Sequence, residues 1–151
     1  FILGGEKSSS RLNKNLRLKK GLAYRCGANY NGDYNAGILS ISAMVPAIKL
    51  EESIDTIFEE IKKLRTEEIS ETEVKLGMKH VRFNIAIGFD SNSGHLNAIE
   101  ENLDNHRTVE DIMKGSSKLT PKIVQEMAIK YLPEDRENGK YVLGIGDPLK
   151  K

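Results

Sequence analysis

The stretch LGGEKSSSRLNKNLRLKKGLAY, residues 3–24, determines how this 151-residue chain begins to fold. Its serines can cap a helix, Leu12 and Leu16 lie four residues apart on one face of that helix, and Gly21 is well suited to follow its last turn. The double glycine Gly4-Gly5 lacks the frames of the known phosphate-binding loops and favours a bend at which two backbones approach closely. We therefore predict a bend, then a helix from Ser8, Ser9 or Ser10 to Gly21.

Two strands are predicted after this helix. Residues Leu22–Asn29 alternate with a period of two, Asn31-Gly32-Asp33 is typical of a turn, and Ile38–Val45 alternates again. In the second strand, one side carries Leu39 and Ile41, while the more polar side carries Ser40 and Ser42 and is expected to face less of the core. Neighbouring strands with a short turn between them should pair antiparallel.

Helical periodicity dominates the rest of the chain. The clearest helix spans Lys49–Thr66 and carries an apolar stripe along one face. Capping signals start three more helices, at Ser70, Thr108 and Thr120-Pro121, and a further helical stretch runs through Leu103 after the break at residues 91–94. A loop is expected at Gly115–Ser117 and a last strand at Tyr141–Ile145.

This order of elements predicts an α+β fold with helices packed on one face of a small, mainly antiparallel sheet. The chain is expected to form a single domain over residues 1–151. It opens at Phe1 in the middle of a pattern, so we expect an N-terminally truncated piece whose sheet has an open edge.

Composition excludes several classes of protein. Charged residues make up 30% of the chain, the net charge is +1, and no apolar run is long enough for a membrane span. A nearly neutral chain has no overall field that would attract nucleic acid. Seven basic residues and no acid lie between Lys7 and Arg25, and this run favours a solvated face or a face that meets an acidic partner.

The residues that could bind metal or act as nucleophiles show no recognised pattern. His80, His95 and His106 match neither spacing of the helical zinc motifs, so no metal site is predicted. Cys26 cannot form an internal disulfide and is expected to be a buried small apolar side chain, although Arg25 beside it could favour a thiolate. A lone cysteine fits a reducing compartment, and we expect a cytoplasmic protein.

The opening stretch resembles the second, non-zinc lobe of the pitrilysin/insulinase-like zinc metallopeptidases, the family that includes mitochondrial processing peptidase. That family runs Leu-Gly-Gly, then Ser-Ser-Arg-Leu, then Leu-Arg-Glu-Lys-x-Gly-Leu-Ala-Tyr, and about a dozen positions agree here in order and spacing. Leu18 departs from the pattern, because the family usually carries glutamate there. The later elements agree more loosely, so the resemblance covers nearly the whole chain.

The resemblance implies a two-lobe peptidase whose zinc lies on the other lobe or on another subunit. It implies no cofactor in this chain, and it assigns Arg17 and Tyr24 to the substrate cleft, with Gly4 and Gly5 in a loop at the cleft edge. An arginine fork can hold a peptide carbonyl or carboxylate, and a tyrosine hydroxyl can donate to a developing oxyanion. The alternative is a purely structural role, in which Arg17 covers the end of the helix and Tyr24 packs half-buried.

The expected partners are a peptide substrate, the zinc-bearing lobe and, through the open sheet edge, a second copy of the chain. Two other functions stay open at this point. The chain could belong to a catalytically silent family member that serves as a structural or substrate-presenting subunit. It could also be a nucleic-acid-binding module that uses the basic helix, although that helix has no interleaved aromatic residues.

Overall fold

A computed structural model describes residues 1–5, 9–32, 36–88, 90–105 and 108–146, without the side chains of 98, 101–105 and 109. A π-helix comes first, and two strands, a 3-10 turn and five α-helices follow it. Their bounds are Asn13–Lys19 for the π-helix, Arg25–Gly32 for β1, Gly37–Met44 for β2, Ala47–Lys49 for the 3-10 turn, Leu50–Thr66 for α1, Glu71–Gly88 for α2, Asn92–Asn105 for α3, Val109–Ser117 for α4 and Pro121–Tyr131 for α5.

The two strands form an antiparallel hairpin in which Arg25 lies opposite Met44 and Gly32 opposite Gly37. One face of the hairpin packs against the helices through Cys26, Ala28 and Ile41. The other face carries the exposed serines and asparagines that alternate with these residues. The α+β prediction, with helices on one face of a small antiparallel sheet, is therefore confirmed.

Helix α1 contributes one apolar face to the core. Its predicted stripe is confirmed, because Ile54, Ile61 and Leu64 are buried and Ile57 and Phe58 are partly buried against the core. Arg65 at the end of α1 donates hydrogen bonds of 2.7 Å to the carbonyls of Ile129 and Leu132. These bonds satisfy the last carbonyl groups of α5, which a helix end otherwise leaves without partners.

The three predicted helix starts agree with the structure. The Ser70 hydroxyl accepts a hydrogen bond from the backbone N–H of Glu73 (3.2 Å), and Thr108 and Thr120 cap α4 and α5 in the same way. Each of these signals lies within four residues of sequence. Because such a cap depends only on residues of its own turn, it can be predicted from the sequence without knowledge of the tertiary contacts.

Other predictions need correction. Gly115–Ser117 is not a loop, because α4 continues to Ser117 and the hydroxyls of Ser116 and Ser117 donate to carbonyls of the preceding turn. Tyr141–Ile145 is not a strand in the structure. There the Tyr141 ring packs 5.0 Å from that of Phe58 and its hydroxyl donates to Arg136 O, while the residues that follow lie exposed without regular structure.

The boundaries near the hairpin also move. The first strand begins at Arg25 rather than Leu22, because Leu22 and Ala23 are buried in the core as part of the connection. The tip of the predicted turn, from Asp33, lies outside the described residues.

Candidate functional site

The segment that carries Arg17 is a widened helix. Its backbone turns helical at Arg11, with Lys14 N donating to Ser10 O (3.0 Å), and then opens into the π form, with Lys20 N reaching five residues back to Asn15 O (3.1 Å). Helices of this kind are rare and occur frequently at functional sites. The predicted helix is therefore confirmed in position but not in type, and Arg17 lies on its exposed side.

The turn between Arg17 and Tyr24 is held from several directions. Gly21 takes a φ of 58°, a left-handed conformation that favours glycine, so the N–H of Leu22 can turn back to donate to Leu16 O at 2.8 Å. Lys49 adds a hydrogen bond of 3.1 Å from its ammonium to Gly21 O. The buried side chain of Leu22 anchors the far side of the turn.

Tyr24 projects from the fold immediately before β1. Its backbone N–H donates to Met44 O at 2.9 Å, which fixes the main chain, while 79% of the residue is exposed. This exposure does not fit the alternative in which Tyr24 packs half-buried. The side chains of Arg17 and Tyr24 make no hydrogen bond or ion pair, either with each other or with any other described residue, so both polar groups face outward with their donors unused.

Asn13 joins the parts of this region, and its role was not predicted from the sequence. It is only 3% exposed, and its amide nitrogen lies 3.1 Å from Gly5 O, 3.1 Å from Ser10 Oγ and 3.3 Å from Cys26 O. One side chain therefore links the N-terminal bend, the helix and β1. The sequence feature that could have indicated this role is the position of Asn13, a polar residue beside Leu12 on the apolar face of the helix.

The double glycine forms the close approach that its sequence predicts. Gly4 O accepts a hydrogen bond from Ala28 N at 2.7 Å, so the bend lies against β1. A Cβ atom on Gly4 would lie 2.6 Å from the Cβ of Ala28 and 2.9 Å from the carbonyl carbon of Gly27. No larger residue fits at Gly4 unless the two backbones move apart.

Cys26 is buried, as its sequence context predicts. Burial raises the pKa of the Cys26 thiol, and the positive charge of Arg17 opposes part of that rise. The alternative, a thiolate favoured by Arg25, does not apply, because the dominant effect is desolvation of the charged form and the opposing charge belongs to Arg17.

A second contact missed from the sequence ties this region to α2. The guanidinium of Arg11 donates two hydrogen bonds, of 2.9 Å and 3.1 Å, to the two oxygens of Glu73. These bonds hold the pKa of Glu73 below its ordinary value, with a smaller contribution from the Ser70 cap. Such two-point pairs fix orientation as well as distance.

Neither a metal site nor a membrane span is found among the described residues. No group of three or more histidine, cysteine, aspartate or glutamate side chains is placed to hold a metal there, and His106 lies outside those ranges. None of the helices in those ranges has both the length and the apolar character needed to cross a bilayer. Within those ranges no set of side chains fits a zinc ion, so no step through zinc is assigned to them.

A large cavity lies away from Arg17 and Tyr24. It is an apolar groove of about 710 Å³ bordered by Phe1–Leu3, the far end of the hairpin, α2 and α5. Its lining includes neither of the two predicted site residues. Both of those residues lie exposed on the surface instead.

The fold defines a class of protein, an α+β domain with helices packed on one face of a small antiparallel sheet. Comparison with known proteins agrees with that class. Residues 1–79 match the family described as "Peptidase M16 inactive domain", which is just over half of the chain, and the chain belongs to that family.

Three relatives show the extent of the similarity. The "Uncharacterized zinc protease YmxG" of Bacillus subtilis (strain 168) is 25% identical over 97% of this chain, which spans only 35% of that protein. A protease from Helicobacter pylori superposes with a TM-score of 0.77 at 22% identity, covering 88% of this chain and 33% of its own. The peptidase M16 inactive domain from Pseudomonas fluorescens gives 0.74 at 20% identity, covering 89% and 32%.

Proposed function

We propose that this chain is the substrate-binding lobe of a zinc-dependent metalloendopeptidase whose zinc lies on another lobe or subunit. The observation that carries the proposal is the pair of unpartnered donors at Arg17 and Tyr24, on either side of the braced Gly21 turn. Membership of the inactive-domain family supports a lobe that binds without catalysing. The relative's description as a zinc protease supports a metal elsewhere in the whole enzyme.

Arg17 and Tyr24 would have different roles in binding a peptide. Zinc on the other lobe would supply a Lewis acid for the scissile carbonyl. In this chain, the Tyr24 hydroxyl would donate a hydrogen bond to the carbonyl oxygen as negative charge develops on it. The Arg17 fork would hold a neighbouring carbonyl or carboxylate, and the Gly4-Gly5 bend would border the cleft.

The braced main chain matters for this role because a donor stabilises a transition state only when its position is fixed in advance. The turn between Arg17 and Tyr24 is braced by Gly21 and by the Lys49 contact. The exposed side chains can still adjust, but the backbone from which they project is fixed.

A reconstitution experiment tests the proposal. The 151-residue chain is expected to bind less than about a tenth of an equivalent of zinc and to leave peptides uncut. Adding it to the separately prepared zinc-bearing lobe should produce cleavage that neither part gives alone. Zinc at one equivalent in this chain, or cleavage by the chain alone, would show that the assignment is wrong.

The same experiment separates the catalytically silent alternative. If the partner lobe lacks His-x-x-Glu-His and the assembly binds peptide without cutting it, the chain presents substrates rather than supporting catalysis. Cleavage by the assembly and binding without cleavage are both compatible with a peptide-binding surface on this chain. They differ only in whether the bound peptide is cut.

We also propose that the free edge of β2 pairs with β2 of a second copy. Within the described residues, the backbone of β2 makes no hydrogen bonds beyond those to β1 and Tyr24, and Gly37–Met44 contains no charged residue. Two such edges can pair antiparallel without charge repulsion, and an uncharged exposed edge is a known template for pairing. A clean monomer in size-exclusion chromatography at 0.1–1 mM, estimated as the range where a weak edge contact would be seen, would contradict this.

A further inference from the structure

We infer that the surface around Arg17 and Tyr24 selects acidic peptides, an inference that rests on the proposed function. Its starting point is the uneven distribution of charge. The basic run is local, since the net charge of the whole chain is only +1. The structure shows which of these cations are neutralised inside the fold and which are left for a ligand.

Two members of the basic run are already occupied. Arg11 is bound by both oxygens of Glu73. Lys20 donates to Thr56 Oγ1 at 2.9 Å and lies 3.5 Å from a carboxylate oxygen of Glu59. Both contacts point back into the body of the lobe, so these cations help to dock the first helix and are not available to a ligand.

Four other cations remain exposed, and none has a carboxylate within 4.0 Å among the described residues. They belong to the π-helix and to the first residue of β1, so they surround the Gly21 turn in sequence: Lys14, Arg17, Lys19 and Arg25. A peptide held by Arg17 and Tyr24 would pass beside these charges. Carboxylates on that peptide would meet uncompensated positive charge, whereas basic side chains would be repelled.

A peptide fits this surface better than a nucleic acid. Proteins that bind single strands usually stack successive bases on several aromatic rings. Here Tyr24 is the aromatic residue beside the cations, and Tyr30 lies six residues further along β1, roughly 20 Å away at the rise of a strand. The Arg17 fork matches a carboxylate as readily as a phosphate, so the aromatic spacing favours the peptide.

The size of the preference follows from the exposure of the cations. Exposed ion pairs are individually weak, and two or three of them together correspond to about a tenfold gain in affinity at low salt. Screening shortens their reach to about 8 Å at physiological ionic strength, so the gain should shrink as salt is added. Binding of a neutral peptide should change little with salt.

The experiment compares three extended peptides of equal length that carry glutamate, serine or lysine at the same positions. Each bears a neutral fluorophore, and binding to the 151-residue chain is followed by anisotropy at low and high salt. A triple variant, Lys14→Gln with Lys19→Gln and Arg25→Gln, removes three of the exposed cations but leaves Arg17. The matched control, Lys75→Gln with Lys114→Gln and Lys118→Gln, changes the net charge equally in α2, in α4 and at the residue that follows α4.

The expected result is about tenfold tighter binding of the glutamate peptide than of the serine peptide, and weaker binding of the lysine peptide. The triple variant should lose this order while keeping its affinity for the serine peptide, and the control should behave as the parent chain does. If the three peptides bind with equal affinity and the double variant Arg17→Met with Tyr24→Phe weakens the binding of all of them, the inference is wrong but the proposed function stands.

Two further outcomes are decisive. If that Arg17/Tyr24 variant binds the serine peptide as well as the parent chain does, the proposed function fails and the inference fails with it. If a single-stranded oligonucleotide of equal charge binds more tightly than the glutamate peptide, with a steeper salt dependence, the surface is a nucleic-acid site and the inference is wrong.

Discussion

Replacing Gly4 by alanine is expected to destabilise the fold strongly, because the new methyl group would overlap the backbone of β1. The added Cβ would lie 2.6 Å from Ala28 Cβ and 2.9 Å from Gly27 C, and neither atom belongs to a flexible side chain that could move away. Separating the two segments would also stretch the 2.7 Å hydrogen bond from Ala28 N to Gly4 O. Overpacking and the lost bond together cost about 2–4 kcal/mol.

Urea denaturation followed by circular dichroism measures this cost. With a slope of about 2 kcal/mol per molar urea, the Gly4→Ala midpoint should fall by roughly 1–2 M. The matched control is Gly115→Ala in α4, where no heavy atom lies within 4 Å of the new Cβ. There alanine should raise stability by about 0.5–1 kcal/mol. A Gly4→Ala midpoint equal to that of the parent chain would refute the close approach of the bend and β1.

Three further perturbations address the contacts around the site. Because Arg11 lowers the pKa of Glu73, the pair adds stability that is present above the ordinary glutamate pKa and is lost as the pH falls through the lower folded value. Glu73→Gln keeps the cap but removes the charge, so its stability should vary less with pH below about 5 than that of the parent chain; identical profiles would contradict the pair. Asn13→Ala leaves the Gly5 and Cys26 carbonyls without this partner, so it should lower the free energy of unfolding by about 1–3 kcal/mol. A loss below about 0.5 kcal/mol, half of what a typical hydrogen bond contributes, would contradict the network. Cys26 is the single thiol, so its reaction with a disulfide reagent at pH 8 should be roughly a hundred-fold slower in the native chain than in urea, reflecting burial and a raised pKa; equal rates would show that it is accessible.

Features set by local interactions could be predicted from the sequence. The helix starts at Ser70, Thr108 and Thr120 depend on hydrogen bonds within one turn, and each agrees with the structure. The apolar stripe of α1 also agrees, because periodicity reports the face that a helix buries.

Features set by distant contacts could not be predicted in this way. The apolar run Tyr141–Ile145 has the composition of a strand, but a strand needs a neighbour for its backbone groups, and the sequence does not say whether one is present. The widening of the first helix and the pairing of Arg11 with Glu73, 62 residues apart, likewise depend on what the fold brings together.

The candidate site contains features of both kinds, those set by local interactions and those set by distant contacts. The spacing of Arg17 and Tyr24 around Gly21 was readable because it belongs to a continuous motif. The supports of that turn, above all Asn13 and Lys49, were not readable, because their partners lie elsewhere in the chain.

The most direct test of the proposed role is the turnover of the zinc-loaded enzyme assembled from this lobe and its zinc-bearing partner, with Tyr24→Phe compared with Tyr131→Phe. Both tyrosines are highly exposed, but Tyr131 belongs to α5 and has no proposed role in the cleft. Loss of one oxyanion donor predicts that Tyr24→Phe lowers kcat roughly tens- to a thousand-fold with unchanged zinc content, while Tyr131→Phe retains full turnover. Equal turnover in the parent enzyme and the Tyr24→Phe variant would contradict the placement of Tyr24 in the substrate cleft.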